Sequence, residues 1–169
     1  MSLDAPTFRS VMGAFPTGVV IVTTVDPDGA PKGLTSQSFI SVSTDPPLLL
    51  VSLDKTSRTL RALLATKAFV VNFLAAGRGD VATRFASKGD DKFAGIVWRP
   101  STAAKGSPIL ADDSVAYAEC VVTQTIEAGD HWLLLASVED AVLLAGTPLM
   151  YYRRTYGAWP EEREAPISL

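Results

Sequence analysis

The sequence has few of the residues that build disulfide frameworks and metal clusters. It contains one cysteine, Cys120, and one histidine, His131, among 169 residues. A single cysteine excludes an internal disulfide and a cysteine-ligated zinc cluster, and a single histidine excludes a multi-histidine metal centre. We therefore predict no metal site, an inert core thiol at Cys120, and the reducing cytoplasm as the compartment.

Long apolar runs and an excess of positive charge are also missing. No apolar stretch approaches the roughly 18 residues of a membrane helix, and residues 1–10 do not resemble a signal peptide. The formal net charge of −3 argues against nucleic acid or an anionic membrane as the main partner. A phosphate-bearing ligand would therefore need a local binding site.

The remaining composition is that of a folded domain. Hydrophobic residues make up 47% of the chain and charged residues 20%, which is enough apolar material for a core. We predict one domain over residues 1–169, with its core at about 8–156 and a frayed acidic tail at 160–169.

Strand patterns outnumber helix patterns along the chain. A helix capped by Thr7 is predicted to place Phe8, Val11, Met12 and Phe15 on one face, and further helices follow Ser57 and span residues 80–87. Strands are predicted at 18–25, 32–43, 48–53, 68–74, 115–127 and 131–144, with 149–156 closing the sheet and a long loop at 89–108. Because hairpin turns join many of the strands, we predict a mainly β, antiparallel barrel with peripheral helices.

One glycine motif imitates a dinucleotide-binding turn. Residues 77–82 fit the pattern G-x-G-x-x-A between a strand and a helix. The helix that follows is short and runs into a polar loop, where a Rossmann fold requires a second parallel strand. We therefore interpret residues 77–82 as an ordinary glycine-rich turn.

Three polar segments are candidates for ligand binding. Residues 34–44 carry hydroxyl and amide donors that suit a planar heteroaromatic ring, although a solvated edge strand explains them equally well. Residues 52–59 join a strand to a helix N-terminus, where Lys55, Arg58 and two hydroxyl groups suit a phosphate; simple capping by Ser57 is the alternative. His131 follows a Gly-Asp turn and either hydrogen-bonds a ligand or has a structural role.

Taken in order, these segments resemble the flavin reductase-like family, the FMN-binding split-barrel reductases that supply reduced flavin to two-component monooxygenases. The resemblance covers about residues 8–156. Its markers are residues 8–19, Gly33-Leu34-Thr35 with Ser38-Phe39, Ser41-Val42-Ser43 with Pro46-Pro47, Lys55 with Ser57 and Thr59, Arg84-Phe85-Ala86, residues 92–95, Gly129-Asp130-His131, and Pro148-Leu149 with Tyr151-Tyr152. One departure is the pair Ser36-Gln37, where many members carry Ala or Val followed by Asn or Ser.

The resemblance implies an antiparallel split β-barrel, a homodimer, and hydride transfer from NADH or NADPH to FMN or FAD. A partner oxygenase would then receive the reduced flavin by diffusion. The resemblance also implies that His131 is the catalytic residue on the nicotinamide side. The cofactor-binding residues that it implies are Thr35, Ser36, Gln37, Ser38, Ser41, Val42, Ser52, Leu53, Lys55, Ser57, Thr59, Arg84, Phe85, Ala86 and Tyr152.

Two other functions are compatible with such a barrel. One is a flavin-binding or flavin-carrier protein that consumes no NAD(P)H. The other is a flavin-dependent oxidoreductase acting on an organic substrate, which needs a second anion site. Beyond Arg153-Arg154 the sequence shows no further basic cluster, so this alternative ranks below the other two.

Overall fold

A computed structural model describes residues 3–159, so the predicted tail at 160–169 lies outside the described residues. The chain folds into short helices around a large antiparallel sheet. The helices are α1 (Ala5–Met12), α2 (Arg58–Thr66) and α3 (Gly79–Ala86), with a 3-10 turn at Ala111–Asp113. The strands are β1 (Thr17–Gly18), β2 (Val20–Val25), β3 (Pro31–Ser36), β4 (Phe39–Thr44), β5 (Pro47–Asp54), β6 (Ala68–Leu74), β7 (Arg99–Pro100), β8 (Pro108–Ile109), β9 (Ser114–Ala128), β10 (His131–Leu143), β11 (Leu149–Tyr152) and β12 (Thr155–Ala158).

Seven strands form the main sheet in the order β3-β2-β6-β9-β10-β5-β4. The two edge strands, β3 and β4, are consecutive in the chain and are separated by Gln37 and Ser38 alone. Because two residues span at most about 10 Å between their flanking Cα atoms, the opposite edges of the sheet must meet at this end. The sheet is therefore rolled into an open barrel with a seam between β3 and β4. The predicted mainly β, split-barrel class is confirmed.

The barrel interior is filled by alternate residues of its strands. Val22, Val51, Phe69 and Leu134 are fully buried in one cluster, and Leu63 of α2 packs into the same cluster. Helix α2 begins as predicted, because the Ser57 hydroxyl accepts a hydrogen bond from the Leu60 amide at 3.4 Å. These contacts hold the N-terminal end of α2 against the barrel, beside the seam.

The predicted strand at residues 32–43 is wrong in one respect, because it is two strands. Ser36 accepts a hydrogen bond from the Ser38 amide through its hydroxyl at 3.0 Å, which turns the chain between β3 and β4. Residues 149–156 also differ from the prediction, since they do not close the main sheet. They form the β11–β12 hairpin, which pairs with β1 in a separate three-stranded sheet.

Helix α1 also differs from the prediction at its start. The cap is Asp4, whose carboxylate accepts hydrogen bonds from the Thr7 amide at 2.8 Å and the Thr7 hydroxyl at 3.0 Å. Thr7 lies inside the helix, where its short side chain reaches back to that carboxylate. The predicted apolar residues Phe8, Val11 and Met12 are each more than half exposed in the single chain. Phe15, predicted on the same face, lies beyond the end of the helix at Met12 and is also exposed.

The glycine-rich turn and the long loop follow the predictions. Strand β6, which precedes the turn, is antiparallel to both of its neighbours, so no βαβ unit exists there and the ordinary-turn interpretation is confirmed. The segment 89–108 contains just the two-residue strand β7 and the start of β8. Buried Glu119 anchors its distal part by accepting a hydrogen bond from the Ala103 amide at 3.0 Å and another from the Ser101 hydroxyl.

Membrane helices, metal-binding clusters and the single cysteine were checked within the described residues 3–159. No helix in this range is long and apolar enough to cross a membrane. In the same range no three His, Cys, Asp or Glu side chains come together as a metal site would require. Cys120 is fully buried in the core, and burial raises the pKa of its thiol, as expected of an unreactive core cysteine.

Candidate active-site cleft

A cleft of about 770 Å³ lies along the seam of the barrel. This size falls within the roughly 300–1,000 Å³ typical of cofactor pockets. Residues 31–38 form one wall, and the end of β5 with the start of α2 forms another. The third wall comes from the end of α3 and the loop that follows, at residues 85–90 and 92–93, and His131 completes the lining.

All six residues of β3 line the cleft. Successive side chains of a strand point to opposite faces, so a cleft lined by six consecutive residues must run along the strand's free edge. An edge strand carries main-chain N–H and C=O groups that are not paired within the sheet. The cleft therefore offers main-chain hydrogen-bonding groups of β3 as well as side chains.

The structure brings most of the predicted binding residues together. Eleven of them line the cleft: Thr35, Ser36, Gln37, Ser38, Ser52, Leu53, Ser57, Thr59, Phe85, Ala86 and His131. They come from three separate stretches of the chain, at 35–38, 52–59 and 85–86, together with the start of β10. The two polar segments and the histidine thus belong to one site.

Five predicted residues do not line this cleft in the single chain. Lys55 turns away to an ion pair with Glu127, with 2.5 Å between Nζ and Oε1, and Arg84 donates to the Ala94 carbonyl at 2.6 Å. Tyr152 lies in the separate β11–β12 hairpin. Ser41 and Val42 lie on β4, beyond the turn that ends the cleft wall.

Several hydroxyl groups in the cleft already have partners within the chain. The Thr35 hydroxyl donates to the Ala82 carbonyl at 2.6 Å and so fixes β3 against α3. Thr17 donates to the side-chain oxygen of Gln37 at 3.3 Å. That bond occupies the oxygen of the Gln37 amide and leaves its nitrogen as the donor end. The hydroxyl-rich strand therefore has a structural function as well as a place in the cleft.

His131 is held at the cleft by its neighbours. Its Nδ1 lies 2.7 Å from the Asp130 carboxylate, and this hydrogen bond lowers the pKa of Asp130, so the carboxylate stays ionised at neutral pH. The Lys55 amide donates to the Asp130 carbonyl at 3.0 Å, which ties the turn before β10 to the end of β5. With Nδ1 engaged by Asp130, Nε2 is the ring nitrogen available to a ligand.

Sequence reasoning missed Lys92 as a site residue. Its ammonium donates to the carbonyls of Phe85 at 2.7 Å and Gly33 at 3.2 Å, which joins the loop to both α3 and β3. Burial, and secondarily the charge of Arg58, lowers the pKa of Lys92. The sequence signal was present, since Lys92 opens the marker segment at 92–95, but its partners are distant in the chain.

The charges around the cleft favour an anionic ligand. Four cations line it, namely Lys32, Arg58, Lys88 and Lys92, against the carboxylates of Asp54 and Asp90. Local positive charge thus exceeds negative by two, although the whole chain carries a net charge of −3. Hydroxyls, an amide, main-chain donors and this positive charge together fit a flavin ring, its ribityl chain and its phosphate.

Gly33 packs directly against the Phe85 ring in the cleft wall, with no room for a side chain at position 33. A Cβ atom at Gly33 would lie 2.7 Å from Cε1 of the Phe85 ring, which is fully buried and has no room to move. We expect Gly33→Ala to lower the free energy of unfolding by about 1–3 kcal/mol. Chemical denaturation of the wild type and the variant measures this difference.

Two further variants test the cause of that loss. Gly157→Ala is the matched control, because nothing lies within 4 Å of a Cβ at that position. Combining Gly33→Ala with Phe85→Leu should cost less than the sum of the two single substitutions, since the smaller side chain makes room for the methyl group. Additive costs would show that the ring is not the obstacle.

The chain matches the family described as "Flavin reductase like domain" over residues 12–160 and belongs to it. It is 45% identical to the flavin reductase (NADH) of Kitasatospora aureofaciens, over 96% of this chain and 85% of the relative. It is 42% identical to HsaB, the reductase subunit of a flavin-dependent monooxygenase of Mycobacterium tuberculosis, over 97% and 87%. Identity to the flavin reductase (NADPH) of Lentzea aerocolonigenes is 39%, over 95% and 93%.

Solved structures show the same fold. Nitrilotriacetate monooxygenase component B from Mycobacterium thermoresistibile matches with a TM-score of 0.90 and 41% identity, covering 97% of this chain and 91% of that one. The NADH:FAD oxidoreductase SgcE6 of Streptomyces globisporus, solved with NAD and FAD fragments, matches with a TM-score of 0.87 and 31% identity. That match covers 97% of this chain and all of the other.

Proposed function

We propose that this chain is an NAD(P)H:flavin oxidoreductase that binds flavin in the seam cleft and supplies reduced flavin to a partner oxygenase. The observation that carries the proposal is the convergence of three candidate binding segments on one cleft with a local excess of positive charge. Membership of the flavin reductase family and the similarity to flavin reductases that use NADH or NADPH support the reaction class.

Different residues of the cleft bind different parts of the flavin. Thr35, Ser36, Gln37 and Ser38, with the main chain of β3, face the edge of the flavin ring. Ser57 and Thr59 at the start of α2, together with Arg58, hold the phosphate. The positive charge of Lys92 favours the electron-rich reduced product.

Flavin, when bound, supplies the chemistry by accepting the hydride that the nicotinamide ring gives up. The protein needs no catalytic base for that transfer, so its task is to hold two rings in contact and exclude water. His131, oriented by Asp130, positions the nicotinamide side. FMN or FAD serves as acceptor, and NADH or NADPH serves as donor.

We further propose that residues 1–169 form one domain and that two copies associate in the cytoplasm. The exposed apolar face of α1, with Phe8, Val11 and Met12, suits burial against a second copy. Ser41, Val42 and Tyr152, which lie outside the cleft in one chain, then complete the site from across the dimer. Reduced flavin passes to the oxygenase by diffusion, as the two-component arrangement of relatives such as HsaB supports.

Anaerobic mixing tests this function directly. Adding NADH or NADPH to the protein with FMN or FAD should bleach the visible absorbance of the flavin, with one nicotinamide oxidised for each flavin reduced. The four combinations identify the preferred donor and acceptor. Flavin binding without oxidation of either nicotinamide would overturn the reductase and leave a flavin carrier.

A further inference from the structure

An arginine and an aspartate face each other where the start of α2 and the loop after α3 border the cleft. Arg58, the first residue of α2, pairs through Nη1 with the carboxylate of Asp90. Its Nη2 donates to the carbonyls of Lys88 at 2.5 Å and Gly89 at 3.2 Å. Arg58 and Asp90 both line the cleft, so this pair joins α2 to the loop across the site.

Asp90 is the cleft carboxylate that holds a cleft cation. The other acid, Asp54, accepts hydrogen bonds from the amide and hydroxyl of Thr56 at 2.6 and 2.7 Å, and these bonds lower the pKa of Asp54. Among the lining cations, Lys32 pairs with Asp26 outside the cleft, and Lys92 binds main-chain carbonyls. Among the ion pairs of residues 3–159, Arg58 with Asp90 is the one that joins a lining cation to a lining carboxylate, and Lys88 forms none.

This ion pair is well exposed to solvent. The Arg58 side chain is 53% exposed and that of Asp90 is 87% exposed. Exposed ion pairs are weak because water screens them. A guanidinium binds a phosphate through two parallel hydrogen bonds, and a phosphate near neutral pH carries more negative charge than a carboxylate. A phosphate arriving in the cleft can therefore replace Asp90 on Arg58.

We infer that Asp90 competes with the phosphate of flavin mononucleotide for Arg58 and so sets the affinity of the cleft for phosphorylated flavin. The inference rests on the proposed function, because it takes flavin as the ligand of the cleft. On this account Asp90 weakens binding of the phosphorylated ligand and favours its release. Such a residue suits a reductase whose reduced flavin must leave for another protein.

Binding of FMN and riboflavin, which differ by the phosphate, tests the inference. Titrations at low ionic strength, followed by flavin fluorescence, give both dissociation constants. Asp90→Asn should strengthen FMN binding by about twofold to fivefold and leave riboflavin binding unchanged. Arg58→Gln should weaken FMN binding by about tenfold, again with little effect on riboflavin.

Two controls distinguish an effect of the Arg58–Asp90 ion pair from the general electrostatic effect of removing one negative charge near the cleft. Asp91→Asn removes the same charge from the next residue, which does not line the cleft, and should leave the FMN-to-riboflavin ratio unchanged. In the Arg58→Gln background, Asp90→Asn should no longer strengthen FMN binding. Equal effects at positions 90 and 91, or an effect that persists without Arg58, would overturn the inference.

The wild type separates this inference from the proposed function. If it binds neither FMN nor riboflavin, the flavin site itself is wrong and both proposals fall. If it binds both and Asp90→Asn changes the two affinities equally, Asp90 acts on the loop and the inference alone fails. If Asp90→Asn and Arg58→Gln change only the KM for NADH and leave FMN binding unaltered, the Arg58 guanidinium binds the nicotinamide coenzyme. That result would also overturn the inference.

Discussion

Replacing Phe85 with alanine is expected to lower the free energy of unfolding by about 3–5 kcal/mol. The ring is fully buried in a cluster with Val19, Ile21 and Leu74, and its edge meets the Phe93 ring with centroids 5.0 Å apart. Removing it leaves a cavity that the surrounding strands cannot close, since β2 and β6 are fixed by pairing on both sides. Denaturant unfolding at fixed pH measures the loss.

The same substitution should also change the cleft, because Phe85 forms part of its wall. We expect weaker flavin binding at temperatures where the variant remains folded. Phe93→Ala is the comparison, since Phe93 is partly buried and belongs to the loop, and it should cost less than half as much. Equal losses for the two variants would contradict the assignment of Phe85 to the core.

Replacing His131 with alanine should lower kcat/KM for NADH or NADPH by about tenfold or more and leave the dissociation constant of the flavin nearly unchanged. The expectation follows from the geometry of the side chain. Asp130 holds Nδ1 at 2.7 Å, so Nε2 is the nitrogen presented to a ligand in the cleft. Steady-state kinetics with the nicotinamide varied, together with a flavin titration, give the two quantities.

Two companion variants sharpen that test. His131→Gln keeps a hydrogen-bonding amide and should recover part of the lost kcat/KM. Asp130→Asn keeps the imidazole but removes the ionised partner that orients it, and should give an intermediate loss. Unchanged NADH kinetics in His131→Ala would remove His131 from the nicotinamide side, and so would an equal loss of flavin binding.

Most of the strands and helices could be predicted from local patterns in the sequence. The predicted strand at 68–74 matches β6 to the residue, because a short, mostly apolar run that follows a helix and ends before a glycine-rich turn favours a strand. The cap at Ser57 was also correct, since a serine before a leucine-rich amphipathic segment is a strong local signal. Both features depend on neighbours within a few residues, which is the range over which a sequence can be interpreted directly.

The errors arose where competing local signals were equally good or the partner lay far away. Asp4 and Thr7 can each cap a helix, and the carboxylate that reaches the Thr7 amide is the cap that forms. The turn at Gln37 and Ser38 lacks glycine and proline, so nothing in the pattern marked it. Met150 and Tyr151 pair with Gly18 and Thr17, more than 130 positions away, and no local pattern reports such a pairing.

In the candidate site too, residues marked by their local sequence were predicted, and contacts between distant parts of the chain were not. Eleven predicted residues line one cleft. The residue pattern itself marked those at 35–38 and 52–59 as hydroxyl-rich or charged, whereas Phe85 and Ala86 were predicted from the family resemblance alone. Lys55 was predicted to bind ligand from its place beside Ser57, but Glu127 lies close enough to pair with it. Lys92 is the reverse case, because it lines the cleft but was not predicted. Its partner Gly33 is distant in the sequence and comes close only when the chain folds.

The free edge of β3 has a consequence for how this protein should be dissected. Main-chain groups along residues 31–36 border the cleft, and replacing side chains leaves those groups in place. Alanine scanning of β3 will therefore understate what the strand contributes to ligand affinity. Exchanging single amides for esters removes one N–H at a time. The resulting loss of ligand affinity would measure the contribution of each main-chain N–H group of β3.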